Sequence, residues 1–225
     1  MTLKSLVVNC NYNLGRVHRM LTLYYARNTC AFAAHVVLED AKAKYQTVEI
    51  DFKKTEQKSI NYQRINPKQR VPSLATPNGI ITETMAIMLY VAQEHPEMSL
   101  VPNNNFEFAR VQSFNSYLAS TVHVAHSHKH RGNRWATDEH ALANMTNKVQ
   151  ENMTECGNFI EKELLTGPWV LGDNYSICDP YLAVITRWLG DDNVNTSQFP
   201  RIMEHNRLIK ERQSMKKVTK IHNPE

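Results

Sequence analysis

Between Leu21 and Phe52 the apolar residues change their period twice. Leu21, Leu23 and Tyr25 alternate with Thr22 and Tyr24; Phe32, Val36, Val37 and Leu38 then follow at helical spacing and close on Glu39 and Asp40. Val48, Ile50 and Phe52 alternate once more with Thr47, Glu49 and Asp51. A period of two gives a strand one buried face, and a period near 3.6 gives a helix one buried stripe. Strand, helix and strand in this order predict a parallel βαβ unit. A polar segment rich in Lys and Gln follows, and then "VPSLATPNGIIT", two short apolar stretches around Pro77-Asn78-Gly79. Glycine tolerates positive φ in such a turn, so a hairpin is expected. From Thr84 to about Glu94, "TMAIMLYVAQE" is apolar nearly all round, as suits a helix packed between a sheet and a second domain. The order is βαβ, then ββα.

Beyond "HPEMSLVPNNN", which reads as a linker, long helical patterns replace strand signals. The expected division is residues 20–98, a linker at 99–105, and an all-helical part at 106–225. In that second part Leu142, Met145, Val149, Met153, Cys156, Ile160 and Leu164 recur at steps of three and four, the stripe of one long helix, which makes Cys156 structural. No internal repeat or low-complexity segment occurs. Residues 1–19, with Lys4, Arg16 and Arg19 but no acid and too short an apolar core for a signal peptide, are read as an extension outside the fold. They read either as a flexible extension or as the product of an upstream start codon, with Met20 directly before the first strand.

The formal charge of +4 is spread along the chain, so it does not imply nucleic acid. No apolar run approaches the roughly 20 residues of a membrane-spanning helix. Cys10, Cys30, Cys156 and Cys178 form no C-x-x-C pair, which argues against a disulfide framework or zinc knuckle and fits a reducing, cytosolic compartment.

Three clusters invite chemistry. Cys30, in "LYYARNTCAFAAHVVLED", falls at the start of the first helix, where free N–H groups and the helix dipole favour thiolate. In "HVAHSHKHRGNRW", His123, His126 and His130 fall on one helical face with His128 nearby, but no Asp, Glu or Cys joins them, so no functional metal site is assigned. Ser176-Ile177-Cys178-Asp179 has the S-x-x-D form of a capping box ahead of Pro180 and an apolar run. Its loss through Asp179→Ala is expected to cost about 1–2 kcal/mol.

"INPKQRVPSLATPNGIITETMAIMLYVA" resembles the glutathione-binding half of the glutathione transferases, and "LYYARNTCAFAAHVVLE" is most similar to their bacterial beta class. "LGDNYSICDPYLA" is similar to the capping box of a buried helix in their C-terminal domain, so the resemblance extends over about residues 20–220. It implies a thioredoxin-like βαβ-ββα domain followed by an all-α domain. It also implies a cis bond at Val71-Pro72, whose backbone pairs with an extended peptide ligand. Glu83 would take the ammonium of glutathione, and Thr84, where the family usually has Ser, would cap the next helix and present N–H groups to the carboxylate. Lys54, with Lys53 as alternative, would contact the glycyl carboxylate. Cys30 occupies the beta-class cysteine position and would form a mixed disulfide with glutathione; His123 would approach the glutathione sulfur. Tyr25 offers a hydroxyl in the preceding strand, but a core aromatic is the favoured reading. The chain departs from the pattern at Ser116, where Asn is frequent, at Val124, where Lys is, and at "ARNT", which lacks Pro-Gly before the cysteine.

The function so implied is a detoxifying glutathione transferase, a homodimer that uses glutathione as cosubstrate and joins it to a small apolar electrophile. Within the fold, a thiol transferase or reductase using Cys30 is the nearest alternative. A non-enzymatic, partner-binding stress protein is the alternative of another class.

Overall fold

The computed structural model describes residues 20–223; the extension expected at 1–19 lies outside them. Four strands, β1 (Leu21–Tyr25), β2 (Tyr45–Glu49), β3 (Ser73–Thr76) and β4 (Gly79–Thr82), form one sheet in the order β2-β1-β3-β4. β1 runs parallel to β2 and antiparallel to β3, and β3–β4 is the antiparallel hairpin, with Gly79 at φ +134°. Helix α1 (Ala31–Asp40) makes the crossover between the parallel strands, a short α2 (Ile60–Gln63) precedes β3, and α3 (Thr84–Glu94) follows β4. The chain therefore has the expected thioredoxin-like order.

The second strand differs from expectation. Its ladder covers Tyr45–Glu49 rather than the alternating Thr47–Phe52, because β1 ends at Tyr25 opposite Glu49 and offers no further residue to pair. The Ile50 N–H still donates to the Tyr25 carbonyl, at 2.7 Å. Asp51 then turns the chain away by accepting the N–H groups of Lys53 and Lys54 at 2.8 and 3.2 Å. β2 is an edge strand, so Val48 points to solvent and the alternation carries little of the core.

Past residue 98 the described chain is helical: α4 (Asn105–Tyr117), α5 (His123–Arg131), α6 (Glu139–Phe159), α7 (Cys178–Asp191), α8 (Pro200–Lys210) and α9 (Gln213–His222). Asn104 caps α4 through the N–H groups of Phe106 and Glu107, and Asp138 caps α6 through that of Ala141. One π turn, Leu118–Val122, joins α4 to α5, and another, Ile160–Leu164, extends α6. An inserted π residue shifts the helix phase. The α6 stripe accordingly buries Val149, Met153, Cys156 and Ile160, whereas Leu164, beyond the shift, is only half-buried.

α7 is the centre of this half, buried from Cys178 to Leu189 except at Arg187. Its start is more elaborate than the box expected. The Ser176 hydroxyl accepts the Cys178 N–H at 3.2 Å, and the Asp179 carboxylate returns to the Ser176 N–H at 2.7 Å. That carboxylate also accepts from the Val170 N–H at 2.9 Å and from His205 Nε2 at 3.0 Å. A folding role for Ser176 and Asp179 fits this arrangement, which ties three segments rather than one helix end. α9 closes the molecule by packing on α1, where His222 Nε2 lies 3.1 Å from His35 Nδ1.

Candidate active site

The turn between β1 and α1 is held from both sides. Arg27 pairs with Glu49 at 2.8 Å, Asn28 takes the left-handed conformation at φ 56°, and the Thr29 hydroxyl donates to the Ala26 carbonyl while accepting the Ala31 N–H. Thr29 thereby supplies the side-chain cap, and Cys30 follows at the N-cap position with helical backbone angles. The Cys30 thiol faces the Val71 carbonyl at 3.9 Å.

The expected thiolate is not what this environment favours. Cys30 is 7% exposed. Burial pushes its thiol up; a hydrogen bond with Thr84 and the charge of Arg131 pull it down, and Glu83 adds to the rise. Loss of solvation outweighs the helix end, so Cys30 stands as a thiol.

Val71-Pro72 is cis, as expected. The residues before it are fixed by a buried polar clamp. The Arg70 carbonyl accepts from the Tyr62 hydroxyl and from Asn66 Nδ2, each at 2.7 Å, and both groups also meet Ser73 Oγ at 3.1 Å. Spacing gives no hint of this clamp, since its members are single polar residues scattered over twelve positions.

Glu83 sits between β4 and α3 at φ 75° and ψ 126°, a conformation that is costly for a residue with a Cβ and is typically maintained at functional sites. Its carboxylate pairs with Lys68, whose ammonium also donates to Thr82 Oγ1 at 2.6 Å. Lys68 is a residue that sequence reasoning missed; it already presents an ammonium to the carboxylate expected to receive one. Glu83, not Thr84, is the N-cap residue of α3. Thr84 opens the helix instead, buried, with the first-turn N–H groups available beside it.

The other expected residues are placed differently. His123, at the phase shift that ends the first π turn, does not meet Cys30 directly: its Nδ1 lies 3.3 Å from the Tyr181 hydroxyl and its ring 4.6 Å from Trp188. Burial lowers it to about 4, helped by the charges of His126, Arg131, Arg134 and Arg70, so the ring is neutral at physiological pH. Tyr181, which sequence reasoning also missed, is buried beside His123, and its phenol is pushed far up, chiefly by burial, with the Glu83 carboxylate adding to the rise. Tyr25 is a core aromatic, its ring tilted against that of His222 with centroids 4.6 Å apart. Lys54 is exposed and pairs with Asp51 at 3.6 Å. Ser116 is exposed on α4, and the neighbouring Asn115 is the one turned inward.

The histidines of α5 go to separate partners. His126 stacks on Trp188 and meets Asp192 at 2.6 Å, and His128 packs edge-on against Trp135. Among the described residues no group of three or more His, Cys, Asp or Glu is arranged to hold a metal ion.

Comparison with known proteins gives a consistent picture. Residues 19–93 match the family model "Glutathione S-transferase, N-terminal domain". A solved glutathione transferase homolog from Sulfitobacter, with bound glutathione, is 42% identical and superposes with a TM-score of 0.88 over 90% of this chain and 98% of that one. Glutathione S-transferase GstA of Escherichia coli O157:H7 is 26% identical over 75% of this chain and 82% of its own length. Maleylacetoacetate isomerase of Dictyostelium discoideum is 27% identical over 82% of this chain and 86% of its own.

Proposed function

The chain belongs to the glutathione S-transferase family, and on that premise we propose that it binds glutathione against Val71, Glu83 and Thr84 and transfers its sulfur to an electrophile. The observation that carries this reading is the Cys30 thiol facing the Val71 carbonyl at 3.9 Å beside the cis Val71-Pro72 bond, with Thr84 buried at the first turn of α3. An extended tripeptide would pair with the Val71 backbone as an added strand. Its γ-glutamyl carboxylate would take the N–H groups at the start of α3, and its ammonium would replace that of Lys68 on Glu83. Lys54 would receive the glycyl carboxylate at the rim.

Thr84 and Arg131, which stabilise a thiolate at Cys30, would do the same for a glutathione sulfur seated beside it. Deprotonated glutathione then attacks the electrophilic carbon: a C–S bond forms, the leaving group departs with its electron pair, and the thiol proton goes to solvent. His123, neutral, would orient the Tyr181 hydroxyl toward this sulfur. A homodimer is the expected assembly.

Exchange through Cys30 is a second reading, favoured by its contact with the Val71 carbonyl. The Cys30 thiolate would attack a glutathione disulfide, forming one S–S bond and releasing a glutathione thiolate. Burial opposes the required deprotonation, so conjugation ranks first. The variants Cys30→Ala and Glu83→Gln test the ranking with 1-chloro-2,4-dinitrobenzene as electrophile. Conjugation should persist in Cys30→Ala, and the KM for glutathione should rise about tenfold in Glu83→Gln, the loss of one charge-assisted hydrogen bond. Abolished conjugation in Cys30→Ala with intact glutathione binding would instead make Cys30 the nucleophile. No binding of glutathione by the unaltered protein would revive a non-enzymatic role.

A further inference from the structure

The end of α9 lies against both flanks of the loop that carries Cys30. His222, the last residue of that helix, is buried, and its ring meets Tyr25, the last residue of β1, with centroids 4.6 Å apart. The same ring meets Phe32, in the first turn of α1, edge-on at 5.1 Å. Tyr25 and Phe32 bracket residues 26–31, so one side chain from the helical half touches the loop where it begins and where it ends. Inside the loop the Arg27–Glu49 pair is exposed and the Thr29 hydroxyl bonds only to Ala26 and Ala31. Those contacts shape the turn without tying it to the helices.

A chain of hydrogen bonds fixes how the His222 ring stands. Lys217 lies 2.8 Å from the Glu39 carboxylate, which accepts from the Tyr45 hydroxyl. With its proton committed to Glu39, the Tyr45 oxygen accepts from His35 Nε2 at 2.9 Å. His35 is kept neutral by burial, so a proton on Nε2 leaves a lone pair on Nδ1, which accepts from His222 Nε2 at 3.1 Å. Among the described residues His222 Nδ1 has no hydrogen-bond partner, so the ring is held by its Nε2 bond and its aromatic neighbours. A buried chain in which each donor has one acceptor specifies a single arrangement. We propose that His222 is a positioning residue of the active site: through its ring the last helix holds the loop on which Cys30 faces the Val71 carbonyl. The inference rests on the transferase reading, in which that loop borders the seat of the glutathione sulfur. Without the ring the loop opens locally, which exposes the thiol and adds an ordering cost to glutathione binding.

The test compares site-resolved alkylation by iodoacetamide, read by peptide mass spectrometry on the full chain, with calorimetric titration of glutathione. Cys156 and Cys178, both buried, serve as internal references. In His222→Ala, Cys30 should be alkylated about fivefold faster than in the wild type, with Cys156 and Cys178 changed less than about twofold. Glutathione should bind that variant about fivefold more weakly. His222→Phe keeps a ring against Tyr25 and Phe32 without the donor, and should return both readouts to within about twofold of wild type. Unchanged Cys30 rates and glutathione affinity in His222→Ala would overturn the inference. So would a rise shared by all three cysteines, which marks general loosening, or a His222→Phe variant as impaired as His222→Ala. Failure of the unaltered protein to bind glutathione overturns the transferase reading and the role of His222 in it, while the Cys30 rates report separately on the hold on the loop.

Discussion

Replacing Asp179 by alanine should destabilise the protein by about 3–5 kcal/mol, the cost of breaking a buried charged network by removing one member. The sequence motif alone predicts about 1–2 kcal/mol for a lost cap. The larger figure follows from four donors converging on a carboxylate with 0% exposure: the N–H groups of Val170 and Ser176 at 2.9 and 2.7 Å, the Ser176 hydroxyl at 3.3 Å and His205 Nε2 at 3.0 Å. Each donor left unpaired costs about 1–3 kcal/mol, and release of the carboxylate's own desolvation penalty offsets part of the sum. Urea unfolding of wild type, Asp179→Ala and Ser176→Ala measures it. Ser176→Ala removes only the bond to the Cys178 N–H and the weak 3.3 Å contact, so it should cost about 1 kcal/mol. Equal midpoints for Asp179→Ala and Ser176→Ala, with unchanged m-values, would refute the network argument.

Acid should weaken the docking of α9. His35 is lowered to about 4 and His222 to about 3, in both cases chiefly by burial, with Glu39 opposing at His35 and the charges of His35, Arg187 and Arg27 adding at His222. Both rings stay neutral in the fold while the unfolded chain gains protons below about pH 6.5, so stability is present at neutral pH and lost as pH falls from there toward 4. At pH 5 each ring contributes a loss of about 2 kcal/mol, and His123, also lowered to about 4, contributes a similar one, so His222→Leu should remove about a third of the acid sensitivity that these rings confer on urea unfolding between pH 7 and 5; an unchanged pH slope would contradict this. Gly157→Ala should cost about 1–3 kcal/mol in the same assay, because its new Cβ would lie 2.6 Å from Cε2 of the buried Phe199 ring. A neutral result would mean that Phe199 moves aside freely.

The strand order and α3 were legible because hydrophobic period and the Pro-Asn-Gly turn are local signals. The end of β2 was not: Val48, Ile50 and Phe52 alternate, but pairing stops where β1 runs out of residues, a property of the partner strand. At the site, Cys30, Val71-Pro72 and Glu83-Thr84 were legible from the motifs that contain them. Lys68, Tyr181 and the Tyr62–Asn66–Ser73 clamp were missed because each acts through a partner distant in sequence. What His123 faces was not legible, since the π turn before it sets its direction and its partner Tyr181 is 58 residues away. The state of the Cys30 thiol was misjudged because a helix start is visible in the sequence, whereas the depth of burial that opposes it depends on packing by the helical half.

The proposed pose has glutathione along Val71 with its sulfur at Cys30. A crystal structure of the Cys30→Ser variant soaked with glutathione tests it most directly, since serine keeps the site's shape and prevents a mixed disulfide. The γ-glutamyl carboxylate should accept the N–H groups at the start of α3, the ammonium should displace Lys68 from Glu83, and the sulfur should lie within about 4 Å of the residue-30 side chain, in reach of the Tyr181 hydroxyl. Glutathione bound with its sulfur turned away from residue 30, or with Lys68 still paired to Glu83 and the start of α3 vacant, would contradict the account.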